Sequence, residues 1–124
     1  MRVLILEDDH NRQRVFIKNL ISADVSIVET ARDAIEQLSS NTWDWLFLDH
    51  DLGGQQMVES GPGTGYEVAE WLAKNPEQKP PNVIIHSFNP CGSENMSAII
   101  PGSIRAPGCW SSLSAGLEPP VGCD

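Results

Sequence analysis

Acidic residues and a histidine stand directly after three short apolar segments of this sequence. Glu7 and Asp8 follow the first segment, Asp49 follows the second, and His86 follows the third. Carboxylate oxygens are the ligands that Mg²⁺ and similar hard cations prefer, and a histidine near neutral pH can transfer protons. If the three segments are neighbouring strands, these residues predict a metal site with a proton-transfer group beside it.

Each of these residues also has a simpler interpretation. A single acidic cluster after a strand most often faces solvent, whereas two adjacent clusters favour a cation, because carboxylates repel one another unless a cation or a proton separates them. As an isolated residue, His50 is expected to bond to a nearby loop carbonyl. If Asp49 faces the site, strand alternation would turn His50 away and bring Asp51 back towards it. For His86 two roles stay open, acid–base catalysis and a loop histidine bonded to its neighbours. Ser87 offers a hydroxyl to a phosphate oxygen.

The segments that carry these residues alternate between strand and helix patterns. The predicted strands are Arg2 to Leu6, Val25 to Val28, Trp45 to Leu48 and Val83 to Ile85, with an edge strand near 103–106. The predicted helices are Asn11 to Ile21 with an apolar stripe of Val15, Phe16, Leu20 and Ile21, a helix capped by Thr30, a helix from a Thr64–Glu67 capping box to Asn75, and Glu94 to Ile100. This order predicts an α/β fold with a parallel sheet, whose ligands bind beyond the carboxyl ends of the strands.

Length and charge narrow the class of protein. The 124 residues fit one domain, and 8 basic against 17 acidic residues give a net charge of −9. That charge argues against an extended duplex nucleic acid or an anionic membrane as partner, since both favour a basic face. No apolar stretch reaches the roughly 20 residues that span a bilayer, and the three cysteines form no Cys-x-x-Cys pair. We expect a cytoplasmic protein without disulfides or a zinc site.

Two polar segments lie outside this strand-and-helix pattern. The glycine-rich stretch 53–65 is longer than a usual connection, which is typical of a functional loop. On spacing alone, Asn89 predicts a turn before Pro90, and Asn95 predicts a solvent-facing side chain.

The opening of the chain resembles a response-regulator receiver domain. Leu6 to Asp9 is similar to the acidic end of the first receiver strand, and Leu46 to Asp49 is similar to the strand that presents the phospho-accepting aspartate. The resemblance covers about 1–100. Receivers carry a lysine at the end of the fifth strand, where it pairs with the phosphoryl group. In this sequence all lysines precede the fourth predicted strand, and Arg105, the nearest cation, is not an equivalent donor. No final helix is visible.

Three longer motifs resemble a divergent branch, the cyclic-phosphate processing receiver domains. They are Asp49-His50-Asp51-Leu52-Gly53, Thr64-Gly65-Tyr66, and the run from His86 to Met96 with Asn89 and Asn95. The resemblance implies a receiver-like (flavodoxin-like) three-layer sandwich, with a parallel sheet of four to five strands that is truncated or irregular at the C-terminus. It also implies binding, and hydrolysis, of a cyclic nucleotide or a 2′,3′-cyclic phosphate RNA end.

The roles implied by this resemblance can be stated for single residues. Glu7, Asp8 and Asp49 would hold Mg²⁺ or Mn²⁺, with Asp51 nearby. Asp49, His50 and His86 would be catalytic, and His50 and His86 would move protons. Ser87, Asn89 and Asn95 would bind phosphate oxygens.

Two other functions remain open at this stage, a phospho-accepting signalling receiver and a module that binds a cyclic phosphate without cutting it. A protein partner also remains open. We predict a receiver-like domain over 1–107 and a Gly/Pro/Ser-rich, disordered tail over 108–124.

Overall fold

A five-stranded parallel sheet organises the chain in the computed structural model, which describes residues 1–107. The strands are β1 Arg2–Leu6, β2 Asp24–Val28, β3 Trp45–Leu48, β4 Asn82–Ile85 and β5 Ile104–Arg105. They lie side by side in the order β2-β1-β3-β4-β5, and every neighbouring pair is parallel. The predicted parallel α/β sheet of four to five strands is therefore confirmed.

Four α-helices connect the strands. They are α1 His10–Asn19, α2 Ala31–Ser40, α3 Gly65–Lys74 and α4 Pro90–Ile99, with a single 3₁₀ turn at Pro76–Gln78. Helix α3 packs against both α2 and α4. Phe16 of α1 and Leu20, which follows the helix, are buried in a separate core.

The central strands β1, β3 and β4 are buried on both faces and are apolar at consecutive positions, as is usual for parallel sheets. In β1, Leu4 and Leu6 belong to the core under α2, α3 and α4, whereas Val3 and Ile5 belong to the core that contains Phe16 of α1. This arrangement leaves the carboxyl ends of the strands as the edge at which polar side chains gather.

The fourth helix begins earlier than predicted, and the third begins after Thr64 as predicted but with different capping bonds. Helix α4 begins at Pro90 rather than Glu94, because the Asn89 side chain accepts a hydrogen bond from the Gly92 N–H and proline suits the first helical turn. The predicted capping box is shifted as well. Thr64 accepts from the Tyr66 N–H, and the Glu67 carboxylate accepts from the Gly63 N–H.

The apolar stripe of the first helix is shorter than predicted. Phe16 and Leu20 are fully buried, but α1 ends at Asn19, and Ile21 lies beyond it with 81% of its surface exposed. The prediction for Ile21 was wrong because the helix does not reach it.

Two further predictions concern membrane spans and the C-terminal tail. No helix within 1–107 is long and apolar enough to cross a bilayer. The predicted tail over 108–124 lies outside the described residues and stays a prediction.

Candidate functional site

Backbone hydrogen bonds hold three strand ends together at one edge of the sheet. The Asp49 N–H donates to the Leu6 carbonyl at 3.2 Å, and the His86 N–H donates to the Leu48 carbonyl at 2.9 Å. These bonds extend the parallel pairing one residue past β1, β3 and β4. As a result, Glu7, Asp49 and His86 lie beside one another although they are far apart in sequence.

Glu7, Asp49 and His86 form a buried group of possible metal ligands. One ligand atom from each residue lies within 4.8 Å of the other two. His86 Nε2 is 3.2 Å from Glu7 Oε1, and both side chains are almost completely buried. Asp49 Oδ2 is buried and has no hydrogen-bond partner among the described residues. A buried carboxylate oxygen without a donor is costly, which makes this group a candidate for binding a cation.

Arg12 is the residue of this site that sequence reasoning missed. Its Nε donates to Glu7 Oε1 at 3.0 Å, and its Nη2 lies 3.3 Å from Glu7 Oε2 and 3.8 Å from Asp49 Oδ2. The Asp9 side chain caps α1 by accepting from the Arg12 N–H, and this fixes the first helical turn next to the strand end. The signal was present in the sequence as an arginine three residues after a capping aspartate.

The two buried carboxylates have opposite pKa shifts. Burial raises the pKa of Glu7, but the hydrogen bond and charge of His86, the Asp9 N–H and the charge of Arg12 together lower it to about 2. Burial also raises the pKa of Asp49, and for this residue burial is the largest effect, so that the pKa is about 6. The charge of Glu7 raises the pKa further, whereas His86 and Arg12 lower it. Glu7 is therefore the carboxylate that the protein already stabilises, and Asp49 is the one that gains most from an added cation.

Asp8 lies at the same edge but has a different partner. Its side chain lines the cavity described next, and its Oδ2 accepts a hydrogen bond from the Gly54 N–H at 2.8 Å. Gly54 has φ +78°, a conformation that other residues rarely adopt. Asp8 thus ties the glycine-rich loop to the end of β1.

An open cavity of about 480 Å³ lies over these residues. Asp8, Arg12, Asp49 and His86 line its floor, whereas the loop residues Gly54, Gln55, Gln56 and Met57 form one wall and Ser87 and Phe88 form part of another. The floor is charged and the loop wall is polar, which suits a small anionic ligand bridged by a cation better than an apolar one.

Met57 shows how firmly the loop wall is fixed. Its φ of +52° is unusual for a residue with a side chain, and its N–H donates to Asp51 Oδ2 at 2.6 Å. Burial raises the pKa of Asp51, but hydrogen bonds from His50, Asn89 and Met57 outweigh burial and lower it. An ionised Asp51 therefore holds the loop from within.

His50 is fully buried and is not among the residues that line the cavity. Its Nδ1 lies 2.8 Å from Asp51 Oδ1, and its Nε2 lies 2.9 Å from Ser60 Oγ. The ring packs against the start of α4 so closely that a Cβ on Gly92 would overlap it. The geometry thus places His50 in the loop network instead of the cavity.

The two asparagines also bind the loop. Asn89 Nδ2 donates to Asp51 Oδ1 at 3.0 Å and to the Val58 carbonyl at 2.9 Å, and Asn95 Nδ2 donates to Ser60 Oγ at 2.9 Å. Asn89 thus donates both amide hydrogens to protein acceptors and Asn95 donates one, and neither residue lines the cavity.

Ser87 lies at the cavity with its hydroxyl close to the backbone. Its Oγ accepts a hydrogen bond from the Asn89 N–H at 3.0 Å, and the side chain is buried. Of the predicted phosphate ligands Ser87, Asn89 and Asn95, only Ser87 is among the residues that line the cavity.

Gly65 brings the next helix directly onto the site. Its N–H donates to the His50 carbonyl at 2.9 Å, and a Cβ at this position would overlap the Asp49 carbonyl oxygen. The glycine in the Thr64-Gly65-Tyr66 motif is therefore required by the close approach of α3 to the end of β3.

The fold and the acidic edge between β1 and β3 define a receiver domain of the response-regulator type. The family model for the cyclic-phosphate processing receiver domain matches residues 2–101. The chain belongs to this family. Our prediction of this family from the three motifs is confirmed.

Solved receiver structures share the fold at low sequence identity. The signal receiver domain of a putative Luxo repressor protein from Vibrio parahaemolyticus is 22% identical, with a TM-score of 0.65, and the match covers 86% of this chain and 78% of that one. The response regulator TrrA from Thermotoga maritima, in complex with Mg²⁺-BeF, is 19% identical with a TM-score of 0.64 and covers 84% of each chain. A CheY-like receiver domain from Methylobacillus flagellatus is 17% identical with a TM-score of 0.64, covering 94% of this chain and 91% of that one. The search of curated proteins finds no match.

Proposed function

We propose that this receiver domain binds a cyclic-phosphate ligand through a divalent cation and hydrolyses it. The observation that carries the proposal is the buried group of Glu7, Asp49 and His86 beneath an open polar cavity. Family membership supports the substrate class.

The donor set fits Mg²⁺ or Mn²⁺. Glu7 and Asp49 would hold the ion, and Asp8 would contribute from the cavity floor. Asp49 Oδ2, which accepts no hydrogen bond from residues 1–107, would gain a partner. When bound, the cation would polarise the phosphoryl oxygens and offset the charge of the phosphate. Among the solved structures of this fold, TrrA is in complex with Mg²⁺-BeF.

Other residues of the site would transfer protons and bind the phosphate. In hydrolysis a water oxygen forms a bond to phosphorus and the water gives up one proton, while one ring P–O bond breaks and the departing oxygen takes up a proton. His86 and His10 both line the cavity. His86 belongs to the buried group with Glu7 and Asp49, whereas His10 is bonded to Glu29 at the surface, so we assign the proton transfer to His86. Phe16 packs edge-on against its ring at 5.2 Å between centroids and fixes its orientation. Ser87 is the phosphate ligand of this proposal.

The other residues that the motifs implicate take supporting roles here. His50, Asp51, Asn89 and Asn95 hold the loop that forms the cavity wall, since their side chains bond to it or to one another. The cavity volume and the net charge of −9 favour a small cyclic nucleotide or the terminal nucleotide of an RNA over a long nucleic acid.

A turnover assay tests the proposal. Cyclic mononucleotides, cyclic dinucleotides and RNA with a 2′,3′-cyclic end are incubated with the full chain and Mg²⁺ or Mn²⁺. We expect cleavage that chelation abolishes, that E7Q, D49N and H86Q reduce by at least about a hundredfold, and that E36Q on the exposed face of α2 leaves unchanged. Absence of cleavage with both metals across the panel would contradict hydrolysis.

A second function is favoured by the position of Asp49. It follows β3 at the cavity floor, as in a receiver that accepts a phosphoryl group on this aspartate. Incubation with acetyl phosphate and intact-mass measurement decides between the two. A stable phosphoryl adduct that D49N abolishes supports signalling, whereas tight ligand binding without adduct or turnover supports a binding module.

A further inference from the structure

A serine that no sequence motif singled out lies at the end of a relay of polar side chains. Ser60 is half-buried in the loop between β3 and α3. Its Oγ lies 2.9 Å from His50 Nε2, and the Nδ1 of the same ring lies 2.8 Å from Asp51 Oδ1. The serine, histidine and aspartate are thus in the order and at the distances of an activated serine nucleophile.

The hydrogen-bond network assigns the positions of the protons. The Asp51 carboxylate can only accept, so His50 Nδ1 carries a hydrogen and its Nε2 faces the Ser60 hydroxyl. Ser60 Oγ accepts a hydrogen bond from Asn95 Nδ2 at 2.9 Å, and its own hydrogen is therefore available to Nε2. This is the tautomer in which a histidine can accept a proton from a serine.

The relay is held rigidly from behind. Asp51 also accepts from Asn89 Nδ2 at 3.0 Å and from the Met57 N–H at 2.6 Å. The His50 ring is fully buried and packs so closely on Gly92 that a Cβ there would overlap it. Such support is what a catalytic serine requires from its neighbours.

Two members of this relay lie outside the cavity of the proposed metal site. The residues that line the cavity over Glu7 and Asp49 include neither His50 nor Ser60, although they include Asp51. Asn95 is exposed on α4 and has a second amide hydrogen that can face a ligand next to the serine. An amide donor beside a nucleophile can stabilise the oxyanion that forms during acyl transfer.

We propose that Ser60 is the nucleophile of a second site, which transfers the acyl group of a small carboxylic ester. Ser60 Oγ forms a bond to the carbonyl carbon, and its proton passes to His50 Nε2. The carbon–oxygen bond to the alcohol breaks, and the alcohol leaves with the proton from Nε2. Water then attacks the acyl-serine in the same way and releases the carboxylic acid.

A fluorophosphonate probe tests this site on the full chain. The serine oxygen forms a bond to phosphorus and fluoride leaves, so intact-mass measurement and peptide mapping report the labelled residue. We expect a single label on Ser60 that S60A abolishes. S39A, which alters an exposed helical serine bonded to a carbonyl oxygen, should leave labelling unchanged.

Two further measurements separate a nucleophile from a structural network. D51N keeps the shape of the side chain but no longer holds the proton on Nδ1, and labelling should slow by at least about tenfold while circular dichroism shows a folded chain. Chelation should have no effect, which distinguishes this site from the metal site. Any of four results would overturn the proposal. Ser60 carries no label, or S60A or Ser39 is labelled as fast as Ser60 in the wild type. Alternatively, D51N is labelled at the wild-type rate, or chelation abolishes labelling.

Discussion

His86 Nε2 lies 3.2 Å from Glu7 Oε1, although 79 positions separate the two residues in the sequence. Both side chains are buried, and the contact links the end of β4 to the end of β1 across β3. Asp49 stands between them at the end of β3. The site therefore exists only when three strands are in register, so its chemistry is tied to folding of the sheet.

Asp49→Asn should stabilise the metal-free protein at neutral pH. The pKa of Asp49 is raised from 3.8 to about 6 in the folded chain, so its ionisation disfavours folding as pH rises from about 4 to 6. At 1.36 kcal/mol per pKa unit, the gain is up to about 3 kcal/mol above pH 6 and vanishes below pH 4. Urea unfolding at pH 7.5 and pH 4 measures it. D24N, at an exposed position on β2, should give little change at either pH, and an unaltered D49N stability at pH 7.5 would contradict the raised pKa.

Mn²⁺ affinity should fall as pH is lowered through about 6. The proton on Asp49 then competes with the cation, and affinity is expected to drop by about tenfold per pH unit below that value. Calorimetric titration between pH 5 and pH 7.5 tests this. In D49N the residual affinity should lack this step, and a wild-type affinity that is constant over the range would show that Asp49 is not a ligand.

Arg12→Gln should weaken the metal-free fold and make it more dependent on cation. Glu7 loses the guanidinium that bonds to both of its oxygens, and an uncompensated buried carboxylate should cost about 1–3 kcal/mol. Thermal unfolding with and without Mn²⁺ should show a larger metal-induced stabilisation in R12Q than in the wild type. The control is R14Q, whose arginine contacts the Asn11 side chain at the surface. Equal metal-induced shifts in R12Q and wild type would show that the cation does not replace the charge of Arg12 at Glu7.

Gly92→Ala should destabilise the chain through a clash with the His50 ring. The added Cβ would overlap ring atoms of a fully buried histidine, and overpacking of this kind costs about 1–3 kcal/mol. G61A is the matched control, since a Cβ there meets nothing within 4 Å. Chemical unfolding compares them, and equal stabilities would mean that His50 can move aside.

Asn89→Asp should loosen the cavity wall while keeping the cap of α4. The aspartate retains an acceptor for the Gly92 N–H but loses the donors to Asp51 and Val58, and it adds a repelling charge. Hydrogen exchange should show lower protection at the Met57 amide and little change at Gly92. The control is N75A, which removes an amide bonded to the Trp71 carbonyl and should leave protection of the Met57 amide unchanged. Unchanged protection of Met57 in N89D would show that the loop does not depend on Asn89.

Local patterns were sufficient for most of the fold. The apolar runs of β1 and β3 predict buried strands because they allow no polar face, and Thr30 marks the start of α2 because its side chain accepts from a backbone N–H. The beginning of α4 was predicted too late, since Gly92 and Pro90 are poor helix formers and only the Asn89 cap compensates. Ile21 was misplaced because apolar spacing does not reveal where a helix ends.

By itself, the sequence determined the parallel α/β fold, the family, and the convergence of Glu7, Asp49 and His86 at one edge, because residues that end parallel strands share an edge. It did not determine which side chains enter the cavity. That depended on contacts between distant segments. Arg12 reaches Glu7 because Asp9 fixes the first turn of α1, and His50 turns away because Ser60 and Asp51 satisfy both ring nitrogens. Hydrogen bonds of buried polar groups must be satisfied by whatever the tertiary structure brings near, and no local pattern records those partners.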